Sequence, residues 1–219
     1  MTQDGDLSVG WIRAGGVCGL FAVGAYAAAA FAPLPDTPGY AAAFAFGPLL
    51  GLGAVGLYHC LALQRRGPLV QIAALFAVAG GITVLVMLTV QQAIFGLTEQ
   101  AIAEAADPGA ADVYRKIAHG LNAVHFGIDV AWDVLISVAV ILFGIAMLRH
   151  PKFGRVHGGI GIVLGALLLG FNLWYFPTPP ASADSIDWGP FVALWFVVTS
   201  VRLLRAERWA REKIAGEAR

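Results

Sequence analysis

Residues 121–148 read LNAVHFGIDVAWDVLISVAVILFGIAML, a nearly unbroken apolar run whose only charged side chains are Asp129 and Asp133. A helix needs about 20 mainly apolar residues to cross the hydrocarbon core of a bilayer, and this run supplies them. Five other runs do the same, so spans are expected at 11–31, 40–63, 69–95, 121–148, 156–176 and 188–204. Breakers stand between them: Pro33, Pro35 and Pro38, then Gly67 and Pro68, then Asp107, Pro108 and Gly109, then Pro151, then Pro177, Pro179 and Pro180. No stretch between runs exceeds roughly two dozen residues, too few to bury a separate core. The expectation is an all-α polytopic membrane protein, one domain over 1–219 built as a six-helix bundle with a basic tail at 205–219.

Composition agrees. The chain is 58% hydrophobic and 13% charged, with a mean hydropathy of +0.74, whereas soluble domains run at about 45–50% apolar. A formal net charge of zero gives no basic surface for nucleic acid. Cys18 and Cys60 make no CxxC motif and no disulfide framework, and both read as buried reduced thiols.

Orientation follows from the distribution of Lys and Arg around the spans. Arg13, Arg65, Arg66, Arg149, Lys152, Arg155, Arg202, Arg205, Arg208, Arg211, Lys213 and Arg219 fall on one side, and only Arg115 and Lys116 on the other. That other side holds Asp36, Glu99, Glu104, Asp107, Asp112, Asp184 and Asp187. Both termini are therefore expected in the cytoplasm, with the chain in a bacterial inner (plasma) membrane. A cleavable signal peptide is the competing reading of the first span. Its apolar run is longer than the 7 to 15 residues of a signal core, and Asp4 and Asp6 weaken the basic leader.

Glycine pairs four apart, Gly47 with Gly51, Gly154 with Gly158 and Gly161 with Gly165, predict close packing of the second and fifth helices. The tail from Arg202 onward is expected to continue helically, with Glu207 and Arg211 four apart, and to lie along the inner leaflet. Arg205, Arg208, Arg211 and Lys213 would there face anionic lipid, unless the tail is only a topological anchor.

The informative face is on the fourth helix. His119, Asn122, His125, Asp129, Asp133 and Ser137 follow one another at steps of three or four and fall within an arc of roughly 120°. Counting back from Arg149 puts the outer interface near Asp129, so Asp133 lies roughly 6 Å inside the hydrocarbon. An unpaired carboxylate there costs about 3 kcal/mol or more. No Lys or Arg lies within a span at that depth. Its partners must be neutral polar groups, a histidine, a bound cation or a proton. Gln91, Gln92, Tyr26, Asn172 and Tyr175 sit at matching depth, which predicts a polar pocket open to the outside.

Three readings fit this face. It joins helices by hydrogen bonds; it binds a proton, cation or small solute; or His125 and Asp129, with His119, hold zinc for a hydrolase. The last lacks a third strong ligand and any HExxH motif. His59 and His157 could bracket a haem, but read better as core and loop histidines. No phosphate loop, no GxSxG elbow and no lysine within a span appears. No cofactor is expected, and the sequence points to no protein partner.

The segment Asp129-Val130-Ala131-Trp132-Asp133, then Leu148 through Gly154, then Asn172 through Pro180, resembles bacterial six-span membrane proteins classed as a domain of unknown function. The resemblance implies a six-helix bundle with a longish outer loop between the third and fourth helices, and it carries over no catalytic residue.

Overall fold

A computed structural model describes residues 3–178 and 180–217 of the chain. Among them the architecture is all-α, without strands. The helices are α1 (Gln3–Phe31), α2 (Asp36–Gln64), α3 (Pro68–Ala103), α4 (Pro108–Met147), α5 (Gly154–Tyr175) and α6 (Gly189–Glu217), with a short 3-10 turn at Pro180–Ala183. All six are long and apolar enough to cross a membrane. Large apolar side chains point outward, among them Phe21 at 67%, Leu75 at 68% and Trp174 at 82% exposure. So much exposed apolar surface is untenable in water and ordinary against lipid.

The six helices close into a ring in chain order. Each of α1 to α4 packs on the next along its length, α4 packs on α5, and α6 returns against α1. Close approach depends on facing glycines. A Cβ at Gly15 would strike the backbone of Gly56, one at Gly47 the Gly81 carbonyl, and one at Gly144 the Gly158 carbonyl. Without an interhelical hydrophobic drive in lipid, such van der Waals seams supply much of the adhesion. Gly158, Gly165 and Gly47 thus pack as the spacing predicts, while Gly161 seats the Trp195 ring. Gly154 does not pack. Nothing lies within 4 Å of its would-be Cβ, and its φ of 76° shows that it is needed for the left-handed turn that opens α5.

The connection between α3 and α4 is not the longish loop that the resemblance implied. Both helices continue past their apolar runs and leave only residues 104–107 between them. The cause is local. Asp107 accepts a hydrogen bond from the Ala110 amide at 2.9 Å and Pro108 stands at the first helical position, so α4 starts there. The pairs Gln100–Glu104 and Asp112–Lys116 brace the exposed turns. At 1.5 Å per residue α4 is about 60 Å long, twice the hydrocarbon thickness.

At the Arg-rich end, α6 runs straight through the tail. Ala206, Ala210 and Ile214 are buried, and Lys213 reaches Gln64 at 3.4 Å. The tail therefore braces the bundle instead of turning to lie along a membrane surface, because its apolar face already has a protein partner. Arg208 pairs with Glu212 and Arg211 with Glu207, which halves the charge offered to lipid. Pro179 and Arg219 lie outside the described residues.

Candidate functional site

The site is built from the face that α4 turns toward the middle of the ring. Exposure falls along it: Asp129 is half-buried, Asp133 is 8% exposed and Ser137 fully buried. Each is one turn, roughly 6 Å, below the last. From α5, Asn172 is buried, donates through Nδ2 to the Leu168 carbonyl at 3.0 Å, and stands near the Asp133 carboxyl. From α1, Tyr26 lies within electrostatic range of Asp129, Asp133 and Asp187. Asp187, in the loop before α6, acts on both helix acids from the exposed side. Its position is fixed by a bond from the Gly189 amide to its Oδ1 at 2.8 Å.

Aromatic rings wall this cluster. Tyr26 lies 4.9 Å from Phe46, whose ring meets Trp132 edge-on at 6.1 Å, and Trp188 stands against Phe171 at 5.9 Å. The Nε1 atoms of Trp132 and Trp188 and the Oγ of Ser137 are buried without a hydrogen-bond partner. No Lys or Arg acts on Asp129 or Asp133 among the described residues. Two ionised carboxylates roughly 6 Å apart would repel by about 3 kcal/mol at an effective dielectric of 20. Such a site favours whatever positive species can enter it.

The upper part of the stripe does not join this cluster. His119 is exposed near the start of α4, and Asn122 is half-buried with no side-chain hydrogen bond among the described residues. His125 is buried but turned to α3, with Nε2 3.1 Å from Met87 Sδ and Nδ1 unpartnered. Gln91 and Gln92 are half-buried on α3 and form no hydrogen bond found with the acids. His125 and Asp129 gain no third ligand: no group of three His, Cys, Asp or Glu side chains could hold a metal among the described residues. Met87 and Asp187 were not read as site residues in the sequence. Asp187 sits in an Asp-Trp-Gly-Pro helix start, which was a usable signal for its fixed position; nothing flagged Met87.

The other histidines serve packing. His59 stacks on Trp11 at 5.9 Å, while His157 Nε2 lies 2.8 Å from Thr199 Oγ1. Because the Thr199 hydroxyl already donates to the Trp195 carbonyl, His157 is the donor in that pair. Each is committed to a different seam, so they do not bracket a haem. His150, in the turn between α4 and α5, is 2% exposed against Trp209 and Phe153. Burial pushes its pKa down to about 4, and Lys213 and Lys152 add to this against the opposing Cys60 backbone.

Two apolar grooves of about 360 Å³ each lie on the outside of the bundle. One runs along α5 by Phe171 and Trp174, the other between α2 and α3 by Pro48 and Leu85. Neither includes an acid of the cluster. Comparison with family models, with curated proteins and with solved structures returned no match. The resemblance noted in the sequence thus stands on its six long apolar helices alone, and what remains to argue from is a bundle of helices long and apolar enough to cross a membrane, with Asp129 and Asp133 on one face of α4 and no Lys or Arg acting on them among the described residues.

Proposed function

We propose that the chain is a single six-helix membrane domain, with both ends in the cytoplasm of a bacterial cell, and that its outward-facing polar pocket on α4 binds a small cation or a proton. The carrying observation is Asp133, a carboxyl 8% exposed inside a long apolar helix, with the neutral Asn172 near it and no Lys or Arg acting on it among the described residues. An intramembrane ionisable group of this kind marks an ion or proton site by default. The twelve Lys and Arg at one end and the acids at the other support the orientation. Arg205, exposed on α6, has the right place to meet anionic lipid on the inner side.

A second reading is favoured by Asn172 standing near Asp133, since a hydrogen bond between them would simply tie α4 to α5. Melting curves of the purified protein across pH, with and without added salts, separate the two. Asp133→Asn keeps the shape and removes only ionisation. Under the ion reading it folds but loses the parent's dependence on pH or ions. A variant that melts like the parent at every pH and salt leaves Asp133 a strut and removes the functional reading.

A further inference from the structure

The turn between α4 and α5 gathers positive charge that no carboxylate answers. Arg149, Lys152 and Arg155 follow one another at steps of three, and all are exposed. No Asp or Glu occurs in the sequence between Asp133 and Asp184. On α6, whose Arg202 reaches this turn, Glu207 and Glu212 are already taken by Arg211 and Arg208. Among the described residues the three side chains therefore form no ion pair. Arg202 adds a fourth cation and serves the turn itself, donating to the Phe153 carbonyl at 2.8 Å.

The turn is also held in one shape. His150 and Phe153 are each 2% exposed, and the His150 ring lies against Trp209 of α6. The His150 amide donates to the Met147 carbonyl and the Gly154 amide to the His150 carbonyl, both at 2.9 Å, while the Lys152 amide donates to His150 Nδ1. The backbone is thus coiled and anchored by its buried residues, and the residues between them carry charge outward. Within so short a coil the flexible side chains of Arg149, Lys152 and Arg155 can gather on one anion. Left without one they repel each other. Guanidinium and ammonium groups both take phosphate oxygens, and an anchored backbone loses little freedom when they do.

The neighbouring surface selects which phosphate. Val156, Ile160 and Val163 follow Arg155 along one face of α5 and are 78%, 48% and 57% exposed. A free anion gains nothing from such a lane, whereas an acyl chain can lie along it. From Arg155 to Val163 the helix rises roughly 12 Å, within the roughly 15 Å depth of one leaflet.

We propose that the α4–α5 turn docks an anionic phospholipid, its phosphate held by Arg149, Lys152 and Arg155 and an acyl chain lying along Val156, Ile160 and Val163. The site is separate from the α4 pocket and stands whether or not that pocket takes an ion. It differs from the tail contact at Arg205 because the cations of the turn have no carboxylates of their own helix beside them.

The test melts the full chain in detergent micelles doped with phosphatidylglycerol or, at the same mole fraction, with phosphatidylcholine of identical acyl chains, and counts retained lipid by native mass spectrometry. Phosphatidylglycerol at about ten times its dissociation constant should raise the melting temperature by about 4 °C over phosphatidylcholine. Arg149→Gln, Lys152→Gln and Arg155→Gln combined should weaken its binding about a hundredfold, at about fivefold per basic residue, and erase that increment. Arg205→Gln, Arg208→Gln and Arg211→Gln combined remove the same charge from the tail and should leave most of it. Equal melts in the two lipids, or a tail variant that loses as much as the turn variant, overturns the site. Inorganic phosphate that matches phosphatidylglycerol overturns the lipid as its occupant. If the triple turn variant does not fold, Lys152→Gln alone decides. That side chain makes no hydrogen bond or ion pair among the described residues, so the variant should fold and bind phosphatidylglycerol about fivefold more weakly; undiminished binding refutes the proposal.

Discussion

Adding one methyl group to Gly144 should weaken the protein, whereas adding one to Gly159, on the facing helix, should not. A Cβ at Gly144 would sit 2.7 Å from the Gly158 carbonyl and 2.9 Å from Ile162. The carbonyl belongs to a helix backbone and cannot swing aside, so the α4 and α5 axes must part by about 0.7 Å to restore ordinary contact. Overpacking of this kind costs about 1–3 kcal/mol. For a chain of this size that lowers the melting temperature by roughly 2–12 °C. At Gly159 nothing lies within 4 Å of the new atom, and the helix gains up to about 1 kcal/mol of propensity. Gly159→Ala should therefore melt at or slightly above the parent. Intrinsic tryptophan fluorescence during thermal unfolding in detergent measures both. If Gly144→Ala melts as high as Gly159→Ala, the facing-glycine account of the seam that holds Asn172 against Asp133 is wrong.

A cytoplasm-dependent reporter fused after Arg219 should be active, and one inserted near Asp107 should work only if it functions outside; the reverse pattern defeats the orientation. His150 refuses a proton until about pH 4, whereas the unfolded chain takes one near pH 6.5. Its contribution is therefore complete above pH 6.5 and is lost as pH falls toward 4, by up to roughly 3 kcal/mol. His150→Phe should flatten that limb of the stability curve, and an unchanged limb would show that other groups set it. Truncation after Leu204 strips the burial of Ala206, Ala210 and Ile214 and should cost about 3 kcal/mol by chemical unfolding; an unshifted midpoint would mean that the tail braces nothing. Elemental analysis of protein purified without chelator should find no stoichiometric zinc, and zinc lost on His125→Ala would revive the hydrolase reading.

The spans were legible because lipid imposes one requirement, apolarity over a fixed length, that hydropathy reads directly. The α3–α4 hairpin was not, because helical turns that continue past an apolar run turn polar and look like a loop; only Asp107 and Pro108 betrayed the restart of α4. The same extension explains why His119 drops out of the cluster although it shares the helical arc of Asp133. Period alone found Asp129, Asp133 and Ser137 as one face, since they belong to one helix. Which side chains of other helices meet that face depends on ring order and axial register. That is why Asn172 was a candidate among several, and why Met87 and Asp187 went unread.

The unbroken length of α4 has a mechanical side. From Pro108 to Met147 it contains no interruption, so roughly half its length stands as an arm beyond the acids while the other half carries them. A swing of about 10° in that arm would carry its tip some 5 Å and tip the Asp133 level by the same angle, with no hinge between to absorb it. Force applied to the α3–α4 hairpin, by a surface, an antibody or a neighbouring molecule, would be felt directly where the carboxyls lie.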